Sequence, residues 1–302
     1  MELEELKEKI KNLEIQGARN VAKSVVKFMI DYIKKTNENP KKIIEDMIKI
    51  GWELMNVRPT EPMTRQMVKE ILHLMIVDLN KYKNEDLDSF KKHVINDEMH
   101  YLNLFDKNME IISEIGSNYL PEHARIITYC HSSTVVAILK KAFDKGKIDS
   151  VYTCETRPLF QGRITAKELV EYGIDTTLIV DGALGVYTKH VDLAIVGGDV
   201  VTSAGDLVNK IGTSTLAEIM FNRNKPFFSA VESYKYDIMS EYGYRITIEQ
   251  RAISEVWNSP PKGLKIKNPA FDVTPAKFIN AYITEKGIVP PQQFRTLITK
   301  TD

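Results

Sequence analysis

This sequence of 302 residues has few cysteines, no net charge and no long apolar run. Its two cysteines, Cys130 and Cys154, are too few for a disulfide framework and are typical of a reducing compartment. The longest apolar stretch near the beginning, 71–77, is interrupted by His73. It is far shorter than the ~20 residues that span a membrane. We therefore expect a soluble, cytoplasmic protein that does not enter a membrane.

An excess of charge of either sign is also lacking, because acidic and basic residues number 41 each. Broad binding to nucleic acid or to an anionic membrane surface needs a surplus of Lys and Arg. The sequence therefore argues against both kinds of partner. It also has no His, Cys, Asp and Glu residues spaced as metal ligands, so we expect no metal.

The hydrophobic pattern divides the chain into two predicted domains, 1–120 and 121–302. In the first, apolar residues such as Leu3, Leu6 and Ile10 recur at spacings of three and four, which predicts helices throughout. No stretch of this half has the alternation of a strand. A length of 302 residues fits two domains, at ~150 residues each.

The second half alternates short apolar runs with amphipathic segments, from Arg125 onward. Strands are predicted at 125–130, 150–154, 175–180, 193–196 and 226–231, and helices lie between them. This alternation predicts an α/β fold, a Rossmann-like parallel sheet with helices on both faces. No G-x-G-x-x-G follows the first strand, which argues against a nicotinamide dinucleotide, and we expect no cofactor. A last helix is predicted over 276–285.

The loop at 196–213 offers a carboxylate and a seat for an anion. Two glycines end the fourth strand and place Asp199 at its carboxyl end, where open α/β sheets bind ligands. Lys210 then precedes a helix whose predicted N-cap is Thr213 or Ser214. A cation and free N–H groups at a helix start suit a phosphate.

Cys130 lies where the first strand meets its helix, and Ser132 and Ser133 follow it. A thiol at a helix N-terminus can have a lowered pKa, and the N–H groups behind it can bind an anion. The alternative is a buried structural cysteine. His131 is either a base beside the thiol or an exposed turn residue.

Further candidates lie at the same sheet edge and in the helical half. Arg157 and Lys235 follow two other strands, where each could clamp an anion or hold a loop. The turn before Arg19 and the loop that holds Arg58 are either substrate contacts or ordinary packing and surface charge.

Four motifs together resemble one superfamily. They are Val-Gly-Gly-Asp at 196–199, Asn-Lys-Ile-Gly-Thr at 209–213, Glu-Thr-Arg-Pro at 155–158 with Gln-Gly at 161–162, and Asn-Pro-Ala-Phe-Asp-Val-Thr-Pro at 268–275. The superfamily contains the regulatory subunits of eukaryotic translation initiation factor 2B, methylthioribose-1-phosphate isomerase and archaeal ribose-1,5-bisphosphate isomerase. The resemblance covers nearly the whole chain and is greatest to the last of these. It implies conversion of ribose 1,5-bisphosphate to ribulose 1,5-bisphosphate during archaeal AMP breakdown.

The resemblance also implies roles for individual residues. The catalytic pair is Cys130 and Asp199, with Gly198 where the isomerases have Ala. Candidate substrate-binding residues, including Arg157 from its place at the sheet edge, are Gly17, Ala18, Arg19, Arg58, Ser132, Ser133, Arg157, Asn209, Lys210 and Lys235. The family usually has Arg-Gly-Ala at the first turn, whereas this chain has Gln-Gly-Ala-Arg at 16–19.

Assembly and regulation are likewise expected from the resemblance. It implies a homo-oligomer, either a dimer or a hexamer built as a trimer of dimers, and an effector such as AMP or another nucleotide derivative. Two alternative functions stay open: a non-catalytic regulatory subunit like those of initiation factor 2B, and methylthioribose-1-phosphate isomerase. The presence of both Cys130 and Asp199 favours an enzyme, since the regulatory members generally lack the pair.

Overall fold

A computed structural model describes residues 2–12, 14–15, 17–57, 62–81 and 86–298. The chain divides into two compact units, Met1–Lys107 and Asn108–Asp302. The division falls inside the longest helix, Leu87–Tyr119, whereas the hydrophobic pattern predicts a boundary after residue 120.

Unit 1 is helical wherever it is described. Its helices are α1 (Leu3–Lys11), α2 (Ala18–Lys35), α3 (Pro40–Val57), α4 (Pro62–Lys81) and the first part of α5 (Leu87–Tyr119). Each amphipathic helix buries its apolar stripe, as the fully buried Ile10 of α1, Met29 of α2 and Met47 of α3 show. The prediction of a helical first half is confirmed.

One carboxyl group lies inside this helical core. Along α5 the buried positions Phe90, Val94, Glu98 and Leu102 recur every fourth residue, so Glu98 lies within an apolar stripe. Neither of its carboxyl oxygens has a hydrogen-bond partner. Burial raises the pKa of Glu98 to about 8. The side chain therefore stays mostly neutral at pH 7, which lowers the cost of its burial.

Unit 2 contains a seven-stranded main sheet and a small antiparallel one. Its strands in chain order are β1 (Ala124–Thr128), β2 (Ile148–Cys154), β3 (Thr176–Ile179), β4 (Leu193–Val196), β5 (Val200–Val201), β6 (Leu207–Lys210), β7 (Phe227–Ala230), β8 (Phe271–Thr274), β9 (Ala281–Thr284) and β10 (Gly287–Val289). Its further helices are α6 (Ser133–Asp144), α7 (Gln161–Glu171), α8 (Leu184–Tyr187) and α9 (Thr213–Asn222).

The main sheet has the strand order β10-β9-β7-β4-β1-β2-β3, and only the pair of β10 with β9 is antiparallel. Apolar clusters cover both of its faces, one around Ile138 of α6 and the other around Met220 of α9. The predicted Rossmann-like fold is confirmed, and its five predicted strands correspond to β1, β2, β3, β4 and β7.

The predicted helix at 276–285 is wrong, because the segment begins with a single 3₁₀ turn, Ala276–Phe278, and then forms the strand β9. Its four residues, Ala281–Thr284, are all buried between β7 and β10. A strand buried on both faces has no alternation, so a short apolar run cannot be distinguished from a helix by period. The small sheet of β5, β6 and β8 was also not predicted.

Candidate active site

The two candidate catalytic residues lie beside the point where the strand order of the main sheet reverses. β1 and β4 are neighbours; the chain continues from β1 to β2 on one side, and from β4 to β7 on the other. Cys130 follows β1 and Asp199 follows β4. A crevice at such a switch point, outside the carboxyl ends of the strands, is where open α/β sheets bind ligands.

Cys130 is held in a left-handed main-chain conformation, with φ of 66°. Its N–H donates to Oγ1 of Thr156 at 3.0 Å, and its carbonyl accepts from Oγ1 of Thr165 at 2.9 Å. Left-handed residues other than Gly are uncommon and persist only where surrounding contacts hold them. These two threonines therefore help to hold the thiol in place.

The expected lowering of the Cys130 pKa is wrong. Burial raises the pKa of the thiol to about 11. The charge of Lys210 and the N–H of His131 lower the pKa, while the carboxylates of Asp199 and Asp181 raise it further. The structure thus brings Asp199 and Lys210 within electrostatic reach of Cys130, but the loss of water around the thiol outweighs the charge of the lysine.

His131 is turned away from the role of a base for Cys130. Its Nδ1 lies 3.1 Å from Oγ1 of Thr165, and its Nε2 lies 3.8 Å from the carboxylate of Glu168. Both partners are on α7. Burial lowers the pKa of His131, which the charge of Glu168 opposes.

Two glycines allow the end of β4 to approach its neighbours. A Cβ at Gly197 would lie 2.7 Å from the side chain of Ser132, and one at Gly198 would lie 2.4 Å from Cδ1 of Leu207. Side chains from other elements therefore occupy the space of an alanine at 198. The N–H of Asp199 donates to the carbonyl of Val208 at 2.9 Å, which attaches the half-buried Asp199 to β6.

Asn209 and Lys210 end β6 beside the start of α9. Nδ2 of Asn209 donates to Oγ1 of Thr213 at 3.0 Å, and that hydroxyl donates to the carbonyl of Lys210 at 2.7 Å. Nζ of Lys210 lies 5.1 Å from the ring centroid of Phe271. The asparagine is buried and supports the loop, while the lysine supplies the cation near Cys130.

The prediction of a phosphate-binding site at the start of α9 is wrong, because Asp272 occupies that position. The N-cap is Gly212, not Thr213 or Ser214. The N–H of Gly212 donates to the carboxylate of Asp272 at 2.7 Å, and the N–H of Ser214 donates to it at 3.2 Å. A side chain of the protein is therefore the anion at this helix end. Burial raises the pKa of Asp272 to about 6, although the N–H groups oppose the shift.

Ser132, Ser133 and Lys235 lie around the ends of β1, β4 and β7. Ser132 is the N-cap of α6, where its hydroxyl accepts from the N–H of Val135 at 3.4 Å, and the exposed Ser133 is the first residue of that helix. Nζ of the buried Lys235 donates to the carbonyl of Gly198 at 2.7 Å. The start of α6 and this lysine therefore border the main chain that carries Asp199.

Arg157 lies farther along the sheet edge, after β2. Its guanidinium donates to the carbonyl of Val256 at 3.0 Å, and its N–H donates to Asp181 at 2.6 Å. It lines a cleft of about 270 Å³ whose walls also include Tyr129 and Lys267. Asp181, which follows β3, accepts from the N–H of Thr156 at 2.9 Å and so joins the ends of β2 and β3, and its charge also raises the pKa of Cys130.

The candidate residues of unit 1 form the start of α2. Gly17 is the N-cap with φ of 84°, and Ala18 is the first helical residue. Nη2 of Arg19 donates to Oδ1 of Asp106 at 2.9 Å. Arg58 and residue 16 lie outside the described residues, so the substrate contacts predicted at this turn and at Arg58 stay predictions.

The sequence does not single out the residues that hold the candidate site residues in place. Thr156, Thr165, Glu232 and Asp272 contact the predicted residues or their loops. Asp272 lies in a recognised motif, which was the available indication. No group of three or more metal-binding side chains occurs in the described part of the chain. A search of the same residues found no helix long and apolar enough to cross a membrane.

Comparisons with known proteins show what this chain is similar to. A family model described as the initiation factor 2 subunit family matches residues 14–291. A ribose 1,5-bisphosphate isomerase of Methanocaldococcus jannaschii is 40% identical over 99% of this chain and 94% of its own. One from Pyrococcus furiosus is 36% identical over 96% of this chain and 91% of its own. A solved structure of 5-methylthioribose 1-phosphate isomerase from Pyrococcus horikoshii OT3 has a TM-score of 0.80 and 26% identity, and covers 100% of this chain and 88% of its own.

Proposed function

Because the chain belongs to the initiation factor 2 subunit family, we propose that it is a sugar-phosphate isomerase that converts ribose 1,5-bisphosphate to ribulose 1,5-bisphosphate. The observation that carries the proposal is the pair of Cys130 and Asp199, which follow the two strands of the switch point, with the charge of Lys210 acting on the thiol. Full-length similarity to proteins named for this reaction supports the choice of substrate.

The substrate explains why both an acid and a base are needed. A phosphate on C1 blocks the ordinary opening of the sugar ring, because the anomeric oxygen carries no proton to lose. The ring oxygen must be protonated as its bond to C1 breaks, and the proton on C2 must be removed. A carboxylic acid and a thiolate placed in one crevice can perform both transfers.

Cys130 and Asp199 reach these protonation states by sharing one proton. The thiol carries this proton at neutral pH, since burial raises the pKa of Cys130 to about 11. In the proposed reaction this one proton lies on Asp199, so that Cys130 acts as the thiolate and Asp199 as the carboxylic acid. Lys210 stabilises the thiolate through its charge. The pair then holds the acid and the base that the reaction requires.

The same two groups carry out every proton transfer of the proposed reaction. The carboxylic acid of Asp199 protonates the ring oxygen and the C1–O bond breaks, while the thiolate of Cys130 takes the C2 proton. An enol phosphate with a C1–C2 double bond results. Cys130 returns its proton to C1, and the hydroxyl on C2 gives its proton to Asp199 as the ketone forms. Both groups regain their starting states, and no electrons enter or leave.

Anion binding uses the groups around the crevice. The start of α6, with Ser132 and Ser133, offers N–H groups at a helix N-terminus, and Lys210 and Lys235 offer cations. Asp272 takes N–H groups at the start of α9, so we propose α6 as the phosphate-binding helix. Gly17, Ala18, Arg19 and Arg58 are proposed contacts of the other phosphate, and Arg157 is proposed to bind substrate.

Assembly, regulation and location complete the proposal. On the family resemblance, we propose a homo-oligomer in the cytoplasm, a dimer or a trimer of dimers, that acts in AMP breakdown and responds to AMP or another nucleotide-derived effector. Light scattering at micromolar concentration tests the assembly. A strict monomer overturns that part and leaves the isomerase proposal in place.

A second candidate function is methylthioribose-1-phosphate isomerase, which the likeness to the solved structure of that enzyme favours. Incubation of the purified protein with each sugar phosphate distinguishes the two. We expect formation of ribulose 1,5-bisphosphate, and little turnover of the methylthio sugar. Preferred turnover of the methylthio sugar selects the second candidate. No turnover of either one overturns an isomerase function and favours a regulatory subunit.

A further inference from the structure

A fully buried carboxylate, that of Glu232, lies at the end of β7 with no role in the proposed reaction. Its exposure is 0%, and neither of its oxygens has a hydrogen-bond partner. An isolated buried charge is costly. The chain therefore retains this one only because something compensates it.

The compensating group is Lys235. Its Nζ lies 3.4 Å from Oε2 of Glu232, and both side chains are almost completely enclosed, at 10% and 1% exposure. The same Nζ donates to the carbonyl of Gly198 at 2.7 Å, and Gly198 is bonded directly to Asp199. A continuous set of contacts thus leads from Glu232 through the ammonium to the main chain that carries Asp199.

Stability alone is a poor reason for this pair. Taking two charges out of water costs about as much as their attraction returns, and apolar residues of similar volume often serve equally well. The two residues that precede Glu232, Ala230 and Val231, are apolar and buried. A buried ion pair at the end of a ligand-binding strand is therefore better explained by its effect on the site.

We propose that Glu232 is a positioning residue that holds the ammonium of Lys235 against the carbonyl of Gly198 and partly neutralises its charge. The inference rests on the proposed function, in which Lys235 contacts a phosphate of the substrate. The position of the ammonium keeps the Asp199 loop in its productive place. The partial neutralisation weakens the hold on phosphate, so that the product can leave.

The two effects separate in Glu232→Gln, which keeps the shape and removes the charge. We expect kcat to fall about tenfold, because small displacements of catalytic groups have effects of this size or larger. We expect KM to fall about threefold, as does the dissociation constant of inorganic phosphate, because the ammonium is no longer neutralised. A merely structural role would not make the protein bind phosphate more tightly.

Glu232→Asp keeps the charge and draws it back by one methylene. We expect kcat to fall without the drop in KM. The matched control is Glu114→Gln, which removes a carboxylate that contacts Lys141 at 2.8 Å and Lys145 at 2.7 Å near the other end of α6. Its kcat, KM and phosphate affinity are expected to equal those of the wild type.

The experiment combines steady-state kinetics on ribose 1,5-bisphosphate with calorimetry of inorganic phosphate, after circular dichroism has verified folding. If the wild type is active and Glu232→Gln matches Glu114→Gln in kcat and KM, the inference is overturned and the proposed function stands. An inactive wild type overturns the proposed function; the inference is then decided by phosphate affinity, which supports it when raised and rejects it when unchanged. Should Glu232→Gln not fold, an unchanged kcat in Glu232→Asp rejects it.

Discussion

The main-chain N–H of Cys130 donates a hydrogen bond of 3.0 Å to Oγ1 of Thr156, a residue that is itself fully buried. The hydroxyl in turn donates to the carbonyl of Cys154 at 3.1 Å. The bond ties the loop after β1 to the end of β2 and supports the left-handed conformation of the cysteine. The position of the thiol thus depends on a residue that has no chemistry of its own.

Replacement of this threonine by valine tests that dependence. In Thr156→Val the N–H of Cys130 loses its acceptor, so the free energy of unfolding is expected to fall by ~1–3 kcal/mol. We also expect kcat to fall by about tenfold, since the thiol is displaced. The control is Thr188→Val, a buried threonine that donates to the carbonyl of Leu184 at 2.7 Å. Equal losses of kcat in the two variants would show that the effect is not specific to the site.

The catalytic pair gives the most direct prediction for the proposed reaction. Cys130→Ser and Asp199→Asn are each expected to lower kcat by ~10²-fold or more, the usual contribution of a positioned acid or base. Both variants should fold, and both should still bind inorganic phosphate. Turnover near that of the wild type in either variant means that the pair is misassigned.

Lys210 is expected to govern the reactivity of Cys130. Burial raises the pKa of the thiol to about 11 and the charge of Lys210 opposes this, so Lys210→Met should raise the pKa further. The rate of alkylation by iodoacetamide, followed by mass spectrometry at Cys130 between pH 7 and pH 10, should then be lower at every pH. Lys277→Met is the control, because Nζ of Lys277 lies over the ring of Phe278 at 4.8 Å, much as Lys210 lies over Phe271 at 5.1 Å. An unchanged rate in Lys210→Met contradicts the assignment.

Asp272 should make the protein less stable as the pH rises. Burial raises its pKa from 3.8 to about 6, so between these values the folded state binds more protons than the unfolded one. Its contribution to stability is therefore present below pH 3.8 and is lost as the pH rises through about 6. In Asp272→Asn this component disappears, and the free energy of unfolding should fall less between pH 4 and pH 6.5.

Asp192→Asn serves as a control of opposite sign. A hydrogen bond from Arg125 lowers the pKa of Asp192, so the contribution of this carboxylate is present at neutral pH and is lost on acidification. Urea unfolding across the same pH range measures both variants. If the free energy of unfolding of Asp272→Asn depends on pH as that of the wild type does, Asp272 does not titrate at the start of α9 in this range.

Arg19 is expected to contribute to the affinity for a bisphosphate. Arg19→Ala should lower kcat/KM for ribose 1,5-bisphosphate roughly tenfold or more, as for a charge-assisted bond of ~1.5–3 kcal/mol. Lys23→Ala is the matched control, since Lys23 also contacts Asp106, at 2.6 Å. If both variants lose activity equally, Arg19 acts through this ion pair and not on the substrate.

The class of fold and the catalytic candidates follow from the amino-acid sequence. The repeat of apolar residues about every 3.6 positions and the alternation of strands with helices can both be recognised in short stretches of sequence. Neighbouring residues are therefore enough to predict the helical half and the five central strands. Cys130 and Asp199 could be placed together because the carboxyl ends of parallel strands share one edge of a sheet. Resemblance of motifs then supplied the reaction.

The pKa values and contacts of those residues depend on the folded chain. The pKa of Cys130 is raised rather than lowered, because burial by distant segments outweighs the nearby cation. The predicted phosphate-binding site at the start of α9 is occupied by the carboxylate of Asp272, which lies 60 residues after Gly212 in the chain. β9 is a strand because it is enclosed between β7 and β10. Desolvation and long-range hydrogen bonds depend on which segments meet in space, and no local pattern records that.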